Sequence, residues 1–194
     1  MKNRILVLSL LALVCNAHVK PQSDTGPPPG EKTYAGCIQV QLIENTSIPA
    51  PVLNQALLLA SEMFKGVGVH VEWEPGSHPR KNPSADRRIV VELAGSTPWN
   101  YFEGALGISR PFDGIHVTVF YDRVEEIGIG SLKPILLAHV LVHELTHMLE
   151  GVDRHSDAGI MKALWGPEEY YEMTSKPLTF TPEDILLIRN GFRR

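Results

Sequence analysis

The sequence predicts a single α/β domain, and three observations carry that prediction. Its 194 residues are 43% hydrophobic and 21% charged, an ordinary globular composition in a chain long enough to bury a sizeable core. Four β-branched, largely alternating runs read as strands, and three apolar-periodic segments read as helices. Proline and glycine punctuate the chain where those segments start and stop. The formal net charge of −4 lacks the basic footprint of a general nucleic-acid binder, so no nucleic-acid partner is expected. A polytopic membrane protein is excluded, because the one strongly apolar run sits at the N-terminus.

That run, Met1 to Val14, carries Lys2 and Arg4 ahead of ten mostly apolar residues from Ile5. Ten helical residues span about 15 Å, roughly half a bilayer core, so the run makes no stable membrane span and suits a secretory signal peptide. Cys15-Asn16-Ala17 offers small residues to a signal peptidase, and cleavage is expected after Ala17. The rival reading, a lipid anchor on Cys15, fits less well because Val14 precedes it where a small residue belongs. The expected location is secreted or periplasmic. Loss of Lys2 and Arg4 takes the formal charge from −4 to −6. One thiol then remains, Cys37, so no internal disulfide is available and stability must come from the core or a metal. Residues 18–33, rich in Pro and Gly, bury too little to order themselves and read as a linker.

The folded domain is expected from Tyr34 to Arg194. Strand-like runs follow at Gly36 to Ile43, Val67 to Glu74, Arg88 to Leu93 and Ile115 to Asp122. Cys37 opens the first of them and reads as a buried small hydrophobe. Pro51 to Lys65 has helical periodicity, with Pro in its first turn and Gly66 behind it. Pro75 to Asp86 and Gly95 to Gly104 read as surface loops. Leu132 to Gly151, LKPILLAHVLVHELTHMLEG, is the longest helical segment; Pro134 lies in its first turn and Gly151 stops it. Apolar residues nearly encircle this helix, so it must be largely buried. Trp165-Gly166-Pro167 breaks the chain. Thr181 then caps a last helix through about Asn190, with Pro182 in its first position, read as packing.

Into the buried helix the chain inserts His143-Glu144-Leu145-Thr146-His147, the pattern HExxH. Residues four apart share a helix face, so both imidazoles can reach one Zn²⁺. Glu144 points about 100° away and can serve a water rather than the metal. Two histidines and a glutamate in an apolar helix are costly without a partner. His139, four residues earlier, reads as a core or supporting residue, since the helical drift and the place of Glu144 favour the later pair.

From His143 the chain continues HELTHMLEGVDRHSDAGIM, which resembles the metzincin group of zinc peptidases. The resemblance implies a zincin-like α/β (α+β) fold, with a twisted mixed sheet of about four to five strands packed on the active-site helix, plus a C-terminal helix. It implies a glycine turn at Gly151, a third zinc ligand beyond it, and a methionine turn at Gly159-Ile160-Met161. The usual third-ligand offset, ten residues after the first histidine, holds Asp153, whereas His155 lies twelve after it. His155 is favoured because Gly151 has moved as well and imidazole is the better zinc donor; Asp153 stays open as the alternative. Such enzymes bind extended peptides along an edge strand, and Gly104 to Arg110 is the candidate here. The tyrosine that some metzincins carry two residues after the turn methionine is Ala163 in this chain; Tyr170 or Tyr171 is the remaining candidate for that place.

The expected function is an exported zinc-dependent endopeptidase acting on a peptide or protein substrate. His143, His147 and His155 would hold the zinc, and Glu144 would be general base toward a zinc-bound water. Two other classes stay open: a zinc-binding but non-proteolytic exported domain, in which Cys37 could be a fourth ligand, and a metal-free surface or periplasmic binding module. The sequence assigns neither a cleavage preference nor an oligomeric state.

Overall fold

The computed structural model describes residues 34–76, 82, 84–112 and 114–194; the expected signal peptide and linker lie outside them. Alternation with period two builds the sheet. In β1 (Gly36–Glu44), Ile38, Val40 and Leu42 are buried against the core while Gln39 and Gln41 face the other way. β2 (Val69–Pro75) adds Val69 and Val71, and β3 (Arg87–Ala94) adds Ile89, Val91 and Leu93 to the same buried face. β5 (His116–Phe120) contributes Val117 and Val119. The strands run in the order β2-β1-β3-β5-β4, where β4 is the short Gly107–Ser109. All pairs are parallel except β4 with β5, which is antiparallel, so the sheet is mixed and β4 forms one edge.

Parallel neighbours need crossovers. Helix α1 (Ala50–Gly66) joins β1 to β2; Pro in its first turn presets the helical φ, and Leu53, Ala56, Ala60, Met63 and Phe64 form its inward stripe. Helix α3 (Leu132–Glu150) crosses the same face of the sheet beside α1 and is buried from Leu136 to Glu150 without a break. Gly151 takes the left-handed conformation, φ 66°, and its N–H returns to the His147 carbonyl, so the helix stops where the glycine predicts. Leu136, Leu137, Leu141, Leu145 and Leu149 are fully buried in α3, each stabilising by roughly 2 kcal/mol. Truncating Leu141 to Ala should cost about 2–5 kcal/mol in chemical denaturation, cavity included.

The α/β class, the mixed sheet and the C-terminal helix agree with the sequence. Two helices differ from it. The run expected as strand through Asp122 ends at Phe120, and α2 (Tyr121–Ile127) begins there. The break at Trp165-Gly166-Pro167 opens α4 (Pro167–Ser175), whose first turn is closed by Glu169 accepting from the Gly166 N–H at 2.7 Å. The last helix, α5 (Pro182–Gly191), has the expected Thr181 cap, with Asp184 completing a reciprocal capping box. Arg87 binds the end of α3 to the end of α5, donating to the carbonyls of Met148 and Gly191.

Candidate metal centre

Midway along the buried part of α3, the helical period sets His143 and His147 one turn apart on one face. Their Nε2 atoms lie 3.1 Å apart, with the rings nearly perpendicular. His143 Nδ1 donates to the Ile160 carbonyl at 2.8 Å, which leaves its Nε2 as a lone pair aimed at the partner ring. The loop after Gly151 brings back His155, whose ring centroid is 5.3 Å from that of His143 and 5.0 Å from that of His147. One nitrogen from each of the three rings falls within 4.8 Å of the other two.

This arrangement fits a tetrahedral metal. Imidazole nitrogens each about 2.0–2.1 Å from zinc stand roughly 3.3 Å apart, close to the 3.1 Å between the two helix nitrogens. Burial pushes His143 down to about 3 and His147 down to about 4, with neighbouring imidazoles adding to the effect. The rings are therefore neutral at physiological pH, the state that binds a metal. Asp153 lines the same cleft but stands outside the three-nitrogen cluster. His139 is elsewhere: fully buried, it donates through Nδ1 to the Ile135 carbonyl at 2.7 Å and accepts at Nε2 from the Leu178 N–H at 3.1 Å. It is a core histidine with both nitrogens satisfied.

Glu144 projects from α3 beneath the edge strand. Gly107 of β4 makes room for it, since a Cβ there would stand 2.8 Å from both Cγ and Oε1 of Glu144. Burial pushes its carboxyl up to about 7; a hydrogen bond from the Ser109 side chain opposes this, and the negative charge of Asp153 adds to it. The expected edge, Gly104 to Arg110, thus contains a real edge strand at Gly107–Ser109, antiparallel to β5 and flanked by it on one side only. Between β4 and the histidines runs a cleft of about 580 Å³, within the range of ligand sites. Leu106, Val140, Leu164 and Trp165 give it apolar walls.

Two features of this centre lay beyond the sequence reading. Of the two candidate tyrosines, Tyr170 lines the cleft, whereas Tyr171 is 77% exposed and is not part of its lining. The loop carrying His155 is also clamped from both sides. Arg154 donates to Ser156 Oγ and to Asp184 Oδ1, each at 3.0 Å, and Ser156 Oγ donates to the same Asp184 oxygen at 2.6 Å. The Ser156 N–H donates to the Met161 carbonyl at 2.7 Å. Ile160, whose carbonyl orients His143, sends its own N–H to Thr179 at 3.0 Å. Met161 is fully buried beside it.

Compared by sequence, the chain matches no family profile and no curated protein. Compared by structure, it resembles an archaemetzincin from Methanopyrus kandleri, with a TM-score of 0.56 and 17% identity over 86% of this chain and 99% of that one. The fold is zincin-like. A second neighbour is metalloproteinase-II from Bacteroides fragilis, with a TM-score of 0.50 and 11% identity; the match covers 84% of this chain and 55% of that protein's. Both resemblances concern the zincin-like fold, in which α3, the loop to His155 and the edge strand β4 hold the side chains described above.

Proposed function

We propose that this protein is an exported zinc-dependent endopeptidase of the metzincin kind. The observation that carries the reading is the convergence of three imidazoles beside a buried carboxyl, under an edge strand, in an open cleft. His143, His147 and His155 would hold the metal, and Ile160 beside Met161 supplies the carbonyl that orients His143. When bound, zinc supplies a water of lowered pKa and a Lewis acid for the scissile carbonyl.

The chain's own groups do the rest. An extended peptide adds to the open side of β4 through main-chain hydrogen bonds, which lays its backbone across the histidines. Glu144 takes a proton from the attacking water and returns it to the leaving amine. Its raised pKa keeps the two proton affinities close enough for the carboxyl to serve in both directions. A purely structural zinc would close with a fourth protein ligand, whereas this cluster opens onto the cleft through His155, which is exposed. An exported location follows from the N-terminal run and belongs to the same proposal.

Elemental analysis of the purified protein beside its His147→Ala variant tests the metal. About one zinc per chain, lost in the variant, supports the site; no metal in folded wild-type protein offered zinc would end the enzyme reading. A second variant probes the strand. Gly107→Ala drives a methyl into Glu144 and should slow peptide hydrolysis on the order of 10²-fold, the scale of an ångström-sized misplacement. Its zinc content should stay normal. Wild-type rates in this variant would show that strand and carboxyl do not meet in solution.

A further inference from the structure

The opposite face of the sheet carries a second set of metal-binding side chains. Cys37 in β1 pairs in register with His70 in parallel β2, and Glu72 follows two residues on, so all three side chains leave the sheet on one side. That side is turned away from α3, because the alternating residues Ile38, Val69 and Val71 face the core. Cys37 is completely buried yet stands outside the hydrophobic core cluster, which includes its neighbours Ile38 and Val40. Its burial agrees with the sequence, and its side chain belongs to the face of the sheet opposite α3. There a sulfur, an imidazole nitrogen and a carboxylate oxygen lie within 4.8 Å of one another.

We propose that Cys37, His70 and Glu72 form a second metal site, for zinc or another borderline-soft divalent cation. Thiolate, imidazole and carboxylate are each established zinc donors, and bond lengths of about 2.0–2.3 Å put tetrahedral ligands roughly 3.3–3.7 Å apart. Rotation of side chains by about an ångström closes the set without moving the strands. The surroundings orient the ligands as an outer shell does. Asn82 Nδ2 donates to Glu72 Oε2 at 2.5 Å, and its N–H to Gln39 Oε1 at 3.3 Å. Asp86 Oδ2 accepts from the Cys37 N–H at 2.8 Å, and the Asp86 N–H donates to the Cys37 carbonyl at 2.9 Å. Exposure rises from buried Cys37 through half-buried Glu72 to exposed His70, so the imidazole is the ligand that meets solvent. Binding releases the thiol proton to solvent and forms a metal–sulfur bond with no change of oxidation state.

Cobalt(II) separates the two sites, since only a thiolate ligand gives a near-ultraviolet sulfur-to-cobalt charge-transfer band. The experiment uses metal-stripped protein in a Cys15→Ser background, which leaves Cys37 as the only thiol. Titration should bind two cobalt ions per chain and develop that band. His70→Ala, a change at an exposed position, should abolish the band and weaken one of the two equivalents more than tenfold while sparing the other. His147→Ala should do the reverse, removing one equivalent and leaving the band. Absence of the band at excess cobalt, or its survival in His70→Ala, overturns the second site whatever happens at the three histidines.

Discussion

Glu144→Gln is expected to lower kcat by about 10²–10⁴-fold, the usual contribution of a positioned general acid–base, while zinc content stays at one per chain. The amide keeps the shape of the carboxyl, so the packing against Gly107 survives the change. It cannot accept the proton from the attacking water. Wild-type hydrolysis in the variant would remove Glu144 from the mechanism. The pH dependence follows with a definite sign. Glu144 is a base only when ionised, so kcat/KM must fall as pH falls through its pKa. Burial and the charge of Asp153 push that pKa up to about 7, and a divalent cation nearby favours the ionised form. The acid limb therefore lies below about pH 7, and it should vanish from the residual activity of Glu144→Gln.

The parts of this protein legible in its sequence are those set by a repeating local signal. Period two gave the four parallel strands, and period 3.6 with Pro134 and Gly151 gave α3 to within a residue at either end. The spacing of His143 and His147 needs only the geometry of one helical turn. The illegible parts are those decided by tertiary neighbours. β4 is three residues long and is a strand only because it pairs with β5, so no alternation can announce it. Helix α2 begins inside a run that continues the alternation of β5; Asp122, at its start, is fixed by two bonds from Thr97, at 2.8 Å each. Helix α4 buries Met173 alone, too little for an amphipathic stripe.

The same distinction explains the site. His155 is placed by a loop with no period of its own, so its register against Asp153 rests on long-range bonds. Asp184 shows why such bonds escape sequence reading. In sequence it is the acidic residue of a capping box, and it does accept from the Thr181 N–H at 2.7 Å. Its second oxygen does something the capping pattern cannot reveal, reaching 28 residues back to Ser156 and 30 back to Arg154. The helix read as packing thus carries the anchor of the loop that presents His155.

That anchor yields the second large effect. His155→Ala should weaken zinc binding more than Asp153→Ala does, because the His155 ring lies in the nitrogen cluster and the aspartate stands outside it. Asp184→Ala should weaken binding about 10–100-fold although it removes no ligand, the usual consequence of losing an orienting partner. A 100-fold loss is about 2.7 kcal/mol of metal-dependent stability. Arg154 would then face Glu150, whose buried carboxyl is pushed up to about 7 and lies 3.9 Å away, and exposed Glu183. Neither holds Ser156, so the residues on both sides of His155 lose their tether together. Zinc competition with a chelator, read beside the melting temperature of metal-free protein, separates the contributions. Loss of the cap alone lowers metal-free stability by about 1 kcal/mol and leaves zinc affinity unchanged. Loss of the clamp lowers affinity as well, and Asp184→Asn, which keeps an acceptor for the Thr181 N–H, should retain the cap while weakening the hold on Arg154. Equal zinc affinity in wild type and Asp184→Ala would mean that the loop positions His155 unaided, and a larger loss in Asp153→Ala than in His155→Ala would make the aspartate the third ligand.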